Sequence, residues 1–426
     1  MYLSKIFFYF FIACLLFFVS CKNQEKNIHS GIIDIEQGLQ NLTRLKTSDF
    51  GKTIRYIPLE TTNDGLVGRN PVVKVLRDYI VVEYGNQYSA QACLLFHKDD
   101  GRFIAEVGHS GQDPESFTSH FSWTDETETF LYFQRSPNQL VKYDMQGNYG
   151  GNVRFSTSSL ASYYLLNDSE IIGYFGGMNQ QGKTNSFSIG FFDRDGILID
   201  SIPSLFPETT PMTPDEVVNA NILTAGGRGR EIFGIWGYTG TMILNYKNDR
   251  RQVIASNAAR IWKHDGNIRF KEEFVDTLYT ISDRKLVPSI VFNTGKYHWP
   301  VEERLSTKNT NERIFIADIS ENNTFVFFQC IKGMNSDAPV LYTGLYNKHT
   351  GKTRISNNSD AIEDDLTHFI PFTPLGLSTS GEFVSLVEAY KIMEWMEEHP
   401  EAKNNEKLTF LKGLDGEMNP VVILIE

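Results

Sequence analysis

The stretch LLFHKDDGRFIAEV at residues 94–107 shows the unit from which this chain is built, two apolar runs joined by a short polar turn. Apolar and aromatic residues in runs of this length predict β-strands. Asp and Gly suit the turn between them, because Gly adopts positive φ without strain and Asp bonds to its own backbone. The stretch therefore predicts a β-hairpin.

The same hairpin recurs along the chain. Its clear copies are LVKYDMQGNYGGNV and IGFFDRDGILIDSI at residues 140–153 and 189–202, and its weaker copies lie at residues 242–255, 278–291 and 343–356. Gly101, Gly147 and Gly196 follow one another at intervals of 46 and 49 residues. A propeller blade of four strands takes about 40–50 residues. We therefore expect an all-β propeller of four-stranded antiparallel blades rather than a β-sandwich.

The two ends of the repeated region each carry one isolated strand. These strands are TIRYIPLE at residues 53–60 and NPVVILIE at residues 419–426. Pairing them in one blade would remove two exposed edges. Together with the six hairpins, this composite blade gives seven blades, unless one of the weak copies is not a blade. The fourth and fifth hairpins are the least clear copies.

Near the C-terminus, SLVEAYKIMEWMEEHPEA at residues 385–402 departs from the strand pattern. Leu386, Ala389, Ile392 and Met396 recur at helical spacing, and Pro400 follows the last turn. This pattern predicts an amphipathic helix inserted near the end of the propeller. We expect it to pack over the last blade, with a partner-binding helix as the alternative.

The N-terminus has the pattern of an export signal. Lys5 precedes an apolar run over residues 6–19, which is too short for a comfortable membrane span, and Ser20-Cys21 ends it. This pattern predicts a lipoprotein signal peptide over residues 1–20 and lipidation of Cys21, with plain secretion as the alternative. We expect residues 21–50 to be a polar tether and residues 51–426 to be the propeller domain. Such a protein would be anchored to the outer membrane in the cell envelope, and its side of the membrane stays open.

Charge and cysteine content narrow the classes of partner. The net charge of -12 repels phosphate backbones, so nucleic-acid binding is disfavoured, and we expect a monomer. Cys93 and Cys330 both lie in apolar runs. They are expected to be buried free thiols, with a disulfide between them as the alternative.

Three stretches and the C-terminal strand carry a resemblance to a known family. They are RYIPLETTNDGLVGRNPVVKV at residues 55–75, LLFHKDDGRFIAEVGHSGQDPESF at residues 94–117 and FLYFQRSPNQLVKYDMQGNY at residues 130–149. The chain resembles the six-bladed β-propeller lipoproteins of Bacteroides-type bacteria, which are similar to NHL-repeat and TolB-like propellers. Asp113 departs from the family's pattern, where a Gly is usual. The resemblance implies six blades and no established activity. We adopt six blades and keep seven as the alternative.

Three connections hold candidate ligand-binding residues. GHSGQDPESF at residues 108–117 is expected to link one blade to the next at the ligand-facing end of the ring. Guanidinium groups beside aromatic rings in TAGGRGREIFGIWGYTG, residues 224–240, suit anionic or carbohydrate ligands. YHWP at residues 297–300 is similar in kind. The candidates from these stretches are His109, Glu115, Arg228, Arg230, Trp236, Tyr238, His298 and Trp299.

No local motif identifies an enzyme. H-E-x-x-H, G-x-S-x-G, C-x-x-C and dinucleotide fingerprints are absent from the sequence. Asp364, Asp365 and His368 have helical spacing, but we expect a solvated acidic turn there, with no metal and no cofactor. We favour a binding or scaffold module for a glycan, peptide or envelope protein. A glycan- or peptide-active hydrolase or lyase is the alternative, and a sensor or assembly partner that uses the C-terminal helix is a third hypothesis.

Overall fold

The computed structural model describes most of the chain from residue 31 onward. It describes residues 31–69, 71–85, 91–119, 121–136, 138–157, 162–167, 170–175, 184–208, 211–224, 227–229, 240–256, 261–306, 308–334, 336 and 338–426. The predicted signal peptide and the lipidation site Cys21 lie outside these residues.

Antiparallel strands that follow one another in the chain form seven sheets in the described residues. Sheet 1 holds β3 (Val72–Val75), β4 (Tyr79–Tyr84), β5 (Ala92–His97) and β6 (Phe103–Glu106). Sheet 2 holds β7 (Ser122–Thr124), β8 (Phe130–Ser136), β9 (Gln139–Asp144) and β10 (Tyr149–Arg154). Sheet 3 holds β11 (Ser162–Asn167), β12 (Glu170–Tyr174), β13 (Phe187–Asp193) and β14 (Leu198–Pro203). Sheet 4 holds β15 (Val217–Thr224), β16 (Gly227–Gly229), β17 (Gly240–Tyr246) and β18 (Arg250–Ser256).

The remaining three sheets include the strands at the two ends of the described chain. Sheet 5 holds β19 (Ile261–His264), β20 (Asn267–Lys271), β21 (Thr277–Ser282), β22 (Lys285–Asn293) and the parallel edge strand β1 (Gly31–Asp34). Sheet 6 holds β23 (Ile314–Glu321), β24 (Phe325–Lys332), β25 (Val340–Asn347) and β26 (Lys352–Asn357). Sheet 7 holds β27 (Gly376–Leu377), β28 (Phe383–Val387), β29 (Val421–Ile425) and β2 (Ile54–Pro58). The helices are α1 (Ile35–Gln40) and α2 (Ala389–Glu398).

All six predicted hairpins are confirmed, each as the last two strands of its sheet. Their turns use positive φ, as the composition predicted. Four turns place a glycine there, with φ between +68° and +84°, at Gly101, Gly147, Gly196 and Gly351. The fourth and fifth copies instead use the pairs Asn248-Asp249 and Asp283-Arg284, all at positive φ.

The predicted pairing of the first and last strands is also confirmed. β2 lies antiparallel to β29, with Ile54 opposite Ile425 and Pro58 opposite Val421. β29 pairs in turn with β28, so sheet 7 takes three strands from the C-terminal end and one from the N-terminal end.

Apolar clusters between the sheets show how the sheets are arranged. Six of the seven share clusters in a cyclic order: 1 with 2, 2 with 3, 3 with 5, 5 with 6, 6 with 7, and 7 with 1. Each cluster includes a fully buried phenylalanine, whose burial stabilises the fold by roughly 1.5–3 kcal/mol. In the same order these are Phe133, Phe155, Phe270, Phe328, Phe383 and Phe96.

Sheet 4 packs differently from the other six sheets. The chain forms it between sheets 3 and 5, yet those two sheets contact one another directly. β11 contacts β19, and Arg284 of sheet 5 lies 3.7 Å from Asp200 of sheet 3. Sheet 4 instead contributes Ile243 to a cluster with Phe315 of sheet 6 and Trp299. The structure therefore has seven sheets where the resemblance implied six, and packing separates sheet 4 from the rest.

The prediction of a polar tether over residues 21–50 is wrong for residues 31–50. β1 extends sheet 5, and α1 packs against β26 of sheet 6. Ile33, Ile35, Leu45 and Phe50 are buried. Although the segment is polar in composition, its few apolar residues lie where they pack against sheets 5, 6 and 7.

The predicted C-terminal helix is confirmed as α2, inserted between β28 and β29. Ile392 and Met396 of α2 pack with Phe383 and Ile423 of sheet 7, in a cluster that includes sheet 6 residues. The helix therefore covers the last sheet, as expected. Among the described residues, no helix has both the length and the apolar character needed to cross a bilayer.

Some hairpin glycines also contact the preceding sheet. A Cβ on Gly196 would overlap the carbonyl oxygen of Arg154 in sheet 2, and one on Gly147 would lie 2.7 Å from the carbonyl oxygen of Glu106 in sheet 1. Gly351 has the same positive φ but no atom within 4 Å of such a Cβ. Gly196 and Gly147 therefore need glycine both for their positive φ and for lack of space, whereas Gly351 needs it only for its positive φ.

This difference predicts unequal costs for alanine substitution. Gly351→Ala is expected to lower the free energy of unfolding by about 1 kcal/mol, because only the positive φ disfavours alanine. Gly196→Ala is expected to cost about 1–3 kcal/mol more, because its methyl group must displace backbone of sheet 2. Chemical denaturation of both variants measures the difference. Equal losses would show that sheets 2 and 3 do not meet at this turn.

Candidate functional site

The connection between sheets 5 and 6, residues 294–313, gathers more candidate chemistry than the other described connections. We call it the 5–6 connection. It follows β22, opens with a 3₁₀ helix at Gly295–Tyr297 and continues with a second one at Val301–Glu303. Because β22 runs away from the hairpin turn that precedes it, this connection lies at the opposite end of the sheet from that turn.

A histidine–aspartate pair lies at the start of the 5–6 connection. The Asp276 carboxylate contacts His298 Nδ1 at 2.7 Å and accepts a hydrogen bond from the Thr294 hydroxyl at 2.8 Å. This contact orients the imidazole, and no other described residue bonds its Nε2. The His298 side chain is about half exposed, so Nε2 can reach a ligand in solvent. The prediction that His298 is available for binding remains consistent with this geometry.

Cations surround the tyrosine next to His298. The ammonium groups of Lys296 and Lys332 lie 5.1 and 5.0 Å from the centre of the Tyr297 ring. Lys332 also pairs with Glu312 at 2.7 Å, and this hydrogen bond raises the pKa of the lysine. The result is an aromatic face beside positive charge, a combination suited to anionic or sugar ligands.

Two arginines hold the 5–6 connection in place. Arg313 donates to the carbonyl oxygen of His298 and lies 3.5 Å from Glu303. Arg304 is buried, and it donates to the carbonyl oxygens of Val301 and Pro207 at 3.1 and 3.0 Å. Pro207 lies in the segment that leads to sheet 4, so this arginine ties the two segments together.

The prediction that Trp299 binds ligand is wrong. Its ring is only 2% exposed and packs against Phe274 and Phe315, while its indole N–H donates to the carbonyl oxygen of Glu303. Its neighbour His298 stays at the surface.

Of the four candidate residues in the Gly-rich stretch, only one is among the described residues. Arg228 lies in β16 of sheet 4, and nothing is described of its side chain. Arg230, Trp236 and Tyr238 lie outside the described residues. Their role in ligand binding stays a prediction.

The connection between sheets 1 and 2 holds the other two candidates. His109 Nε2 contacts the Asp113 carboxylate at 2.8 Å, and both side chains are about half exposed. The other Asp113 oxygen accepts the backbone N–H groups of Glu115 and Ser116 at 3.0 Å, which shapes the turn. Glu115 is exposed. Both His109 and Glu115 therefore face solvent, and their binding role stays a prediction.

Sequence reasoning missed two residues that border the 5–6 connection. Asp276 is 22 positions from its partner His298, and Arg251 belongs to sheet 4, where its backbone N–H donates to the carbonyl oxygen of Leu305 at 3.1 Å. Neither lies in a recognisable motif. Only the three-dimensional structure places each of them against the 5–6 connection, Asp276 at His298 and Arg251 at Leu305.

Buried carboxylates elsewhere have structural partners. The prediction of a solvated acidic turn is wrong for Asp364, which is buried. It accepts the backbone N–H groups of Leu366, Thr367 and Phe369 at 3.0–3.1 Å and the Thr47 hydroxyl at 3.2 Å. Through its hydrogen bond with Thr47, Asp364 links the N-terminal segment to the connection that precedes sheet 7. In the part of the chain that the structure describes, no group of three or more His, Cys, Asp or Glu residues is placed to hold a metal ion.

The two cysteines are confirmed as buried free thiols. Burial raises the pKa of the Cys330 thiol to about 12 and that of Cys93 well above its usual value. A thiol whose pKa is raised this far carries almost no thiolate at neutral pH, so neither is suited to nucleophilic chemistry.

A charged cluster fills the seam between sheets 5 and 6 at the end where the hairpin turns lie. The buried Glu321 carboxylate accepts from Lys348 at 2.7 Å and from Arg269 and the Trp262 indole at 3.2 Å each. Lys348 also lies 2.8 Å from His264 Nε2, a contact in which the imidazole must be the unprotonated acceptor. Burial lowers the pKa of His264, although Glu321 opposes this.

The chain matches a protein family by sequence and solved structures by fold. The model of a family described as "Domain of unknown function (DUF4934)" matches residues 30–426. No curated protein matches the chain by sequence.

Among solved structures, a Bacteroides fragilis protein described as exported is 14% identical and superposes with a TM-score of 0.58, covering 93% of this chain and 99% of its own. A Bacteroides vulgatus member of the DUF4221 family is 10% identical with a TM-score of 0.45, covering 88% of this chain and 96% of its own. The first of these shows similarity in fold.

Acidification is expected to destabilise the protein through His264. Because burial lowers the pKa of this imidazole below 6.5, the unfolded chain binds its proton more readily than the folded protein. The free energy of unfolding therefore falls as pH drops from 6.5 through the lowered pKa, by at most about 1.4 kcal/mol per pH unit for one proton. Chemical denaturation over a pH series measures this slope.

A glutamine at this position keeps an acceptor for Lys348 and cannot titrate, so His264→Gln should flatten the slope below pH 6.5. The matched control, His349→Gln, changes an exposed histidine that forms no ion pair among the described residues, and it should leave the slope as it is. The same slope in the His264→Gln variant and the unmodified protein would contradict the assignment.

Proposed function

The chain belongs to the family of the domain of unknown function DUF4934, and from this premise we propose that it is a cell-envelope binding module built on a six-bladed β-propeller. Support for six blades comes from the cyclic order in which sheets 1, 2, 3, 5, 6 and 7 share apolar clusters. In this arrangement sheet 7 closes the ring through β2 and β29, and sheet 4 is an insertion that stands on the ring.

Export and anchoring are part of the same proposal. The apolar run over residues 6–19 and the Ser20-Cys21 pair support a lipoprotein signal and lipidation of Cys21. A structural relative described as exported is in keeping with that location. The protein would then be held at the outer membrane by lipid, with residues 22–30 as the tether.

Binding is favoured by the half-exposed His298, which is held by Asp276 beside the Tyr297 ring and its two lysines. This single grouping offers hydrogen bonding, an aromatic face and positive charge at one surface, as ligand sites do. The buried carboxylates Glu321 and Asp364, in contrast, are occupied by internal partners. We propose that a glycan, a peptide or an envelope protein binds at the 5–6 connection.

A hydrolase or lyase acting on a glycan or peptide is the second candidate. The contact between His298 Nδ1 and Asp276 at 2.7 Å is the arrangement by which an acid orients a catalytic base. His298 would be that base, acting through Nε2.

The test is a binding screen of immobilised glycans and peptides with residues 31–426, because residues 31–50 are part of the packed structure. His298→Ala should weaken binding of any ligand found by about tenfold, the effect of losing one hydrogen bond of about 1.4 kcal/mol. His109→Ala changes a similar pair at another connection and should leave the affinity unchanged.

Three results would count against this proposal. Absence of any ligand in the screen would argue against a binding module. Weaker binding in the His109→Ala variant alone would move the site to the connection between sheets 1 and 2. Release of product from a bound polymer, lost in the His298→Ala variant, would favour the hydrolase or lyase.

A further inference from the structure

Arg251 occupies the face of sheet 4 that is turned towards the 5–6 connection. It lies opposite Asn245 in the pairing of β17 with β18, two positions along from Ile243. Residues two apart in a strand, and residues opposite one another, share a face of the sheet. Because Ile243 packs against Trp299 and Phe315, Arg251 lies on the same packed face.

This arginine differs from the other half-buried or ion-paired arginines of the structure. Arg251 Nε is buried and has no hydrogen-bond partner in the described residues. Arg313 Nε is also unpartnered, but its terminal nitrogens contact His298 and Glu303. The other paired arginines each have a carboxylate partner, and these pairs are Arg102–Asp100, Arg269–Glu321, Arg284–Asp200 and Arg354–Asp49.

The environment of Arg251 leaves its charge uncompensated. Burial lowers its pKa, and no carboxylate of the described residues acts in the opposite direction. A half-buried guanidinium without an acid loses hydration and gains no ion pair in return, so it destabilises the free protein. An anion supplied from solution would restore the charge balance by contacting the terminal nitrogens of the guanidinium.

Two amides extend the polar surface beside Arg251. Asn245 donates to Asn219 at 2.5 Å, and the pairing places Asn219, Asn245 and Arg251 in one row across β15, β17 and β18. Asn219 is exposed and Asn245 is half-buried. The row therefore leads from solvent to the guanidinium and offers hydrogen-bond donors along the way.

We propose that Arg251 binds the oxyanion of a carboxylate- or sulfate-bearing ligand, with Asn219 and Asn245 contacting the same ligand beside it. This inference rests on the proposed function and defines it further, since it makes the ligand acidic. A guanidinium presents two parallel N–H donors that match the two oxygens of a carboxylate or sulfate.

The experiment measures thermal unfolding of residues 31–426 with inorganic sulfate, free galacturonate or polygalacturonate, each against chloride at equal ionic strength. Equal ionic strength removes general screening as a cause. A saturating anion that binds only the folded protein should raise Tm by about 2–4 °C. A rise in Tm with all three probes would identify a general oxyanion site. A rise in Tm with polygalacturonate alone would identify a polymeric uronate as the ligand.

Substitutions locate the effect. Arg251→Gln should abolish the rise in Tm and weaken anion binding in calorimetry at least about tenfold, and Arg251→Lys should keep part of it, since lysine keeps the charge and loses the paired donors. Arg194→Gln, at an exposed arginine in the hairpin turn of sheet 3, is the matched control and should behave as the unmodified protein.

Two outcomes would overturn the proposal. One is that no anion raises Tm beyond chloride. The other is that Arg251→Gln lowers Tm in chloride while the response to anions is unchanged, which would mean that an acid of this chain pairs with Arg251. An anion effect that depends on Arg251, together with no ligand in the glycan and peptide screen, would leave this site standing and remove only the wider binding proposal.

Discussion

The rest of the fold is organised around the antiparallel pairing of β2 with β29. It joins residues near the two ends of the described chain, so one sheet takes strands from both ends. The same pairing explains the course of residues 31–50. To reach sheet 7 from β1 at sheet 5, this segment has to cross sheet 6, and its apolar residues are buried along that path.

In the described residues, sheet 4 is the sheet that takes no part in the six apolar clusters joining the others. Sheets 3 and 5 contact one another as if sheet 4 were absent, through Phe270 and through Arg284. Sheet 4 is therefore free to pack over the connection end of sheets 5 and 6, where it brings Arg251 to the same region as His298. A sheet outside the six apolar clusters can change a binding surface at little cost to the core that those clusters form.

Most of what the sequence predicted is local. All six hairpins and α2 were predictable because strand alternation, helical spacing and turn chemistry act over a few residues. The terminal pairing was predictable for a different reason, since two isolated strands each had an edge that needed a partner. The sequence of the hairpin at residues 242–255 does not show whether its sheet is one of the blades or packs on top of them. Similarly, Trp299 and His298 are adjacent in a polar loop, and only packing decides that one is buried and the other exposed.

Excision of sheet 4 tests the proposal that it stands on a ring of six sheets. Residues 211–256 would be replaced by a short Gly/Ser linker between sheets 3 and 5, and thermal unfolding would be followed by near-ultraviolet circular dichroism. We expect one cooperative transition with the aromatic signal retained, because the six clusters shared by the other sheets remain and only the cluster around Ile243 loses a member. Loss of cooperative unfolding would contradict it, since a ring that needs sheet 4 as a blade could not close without it.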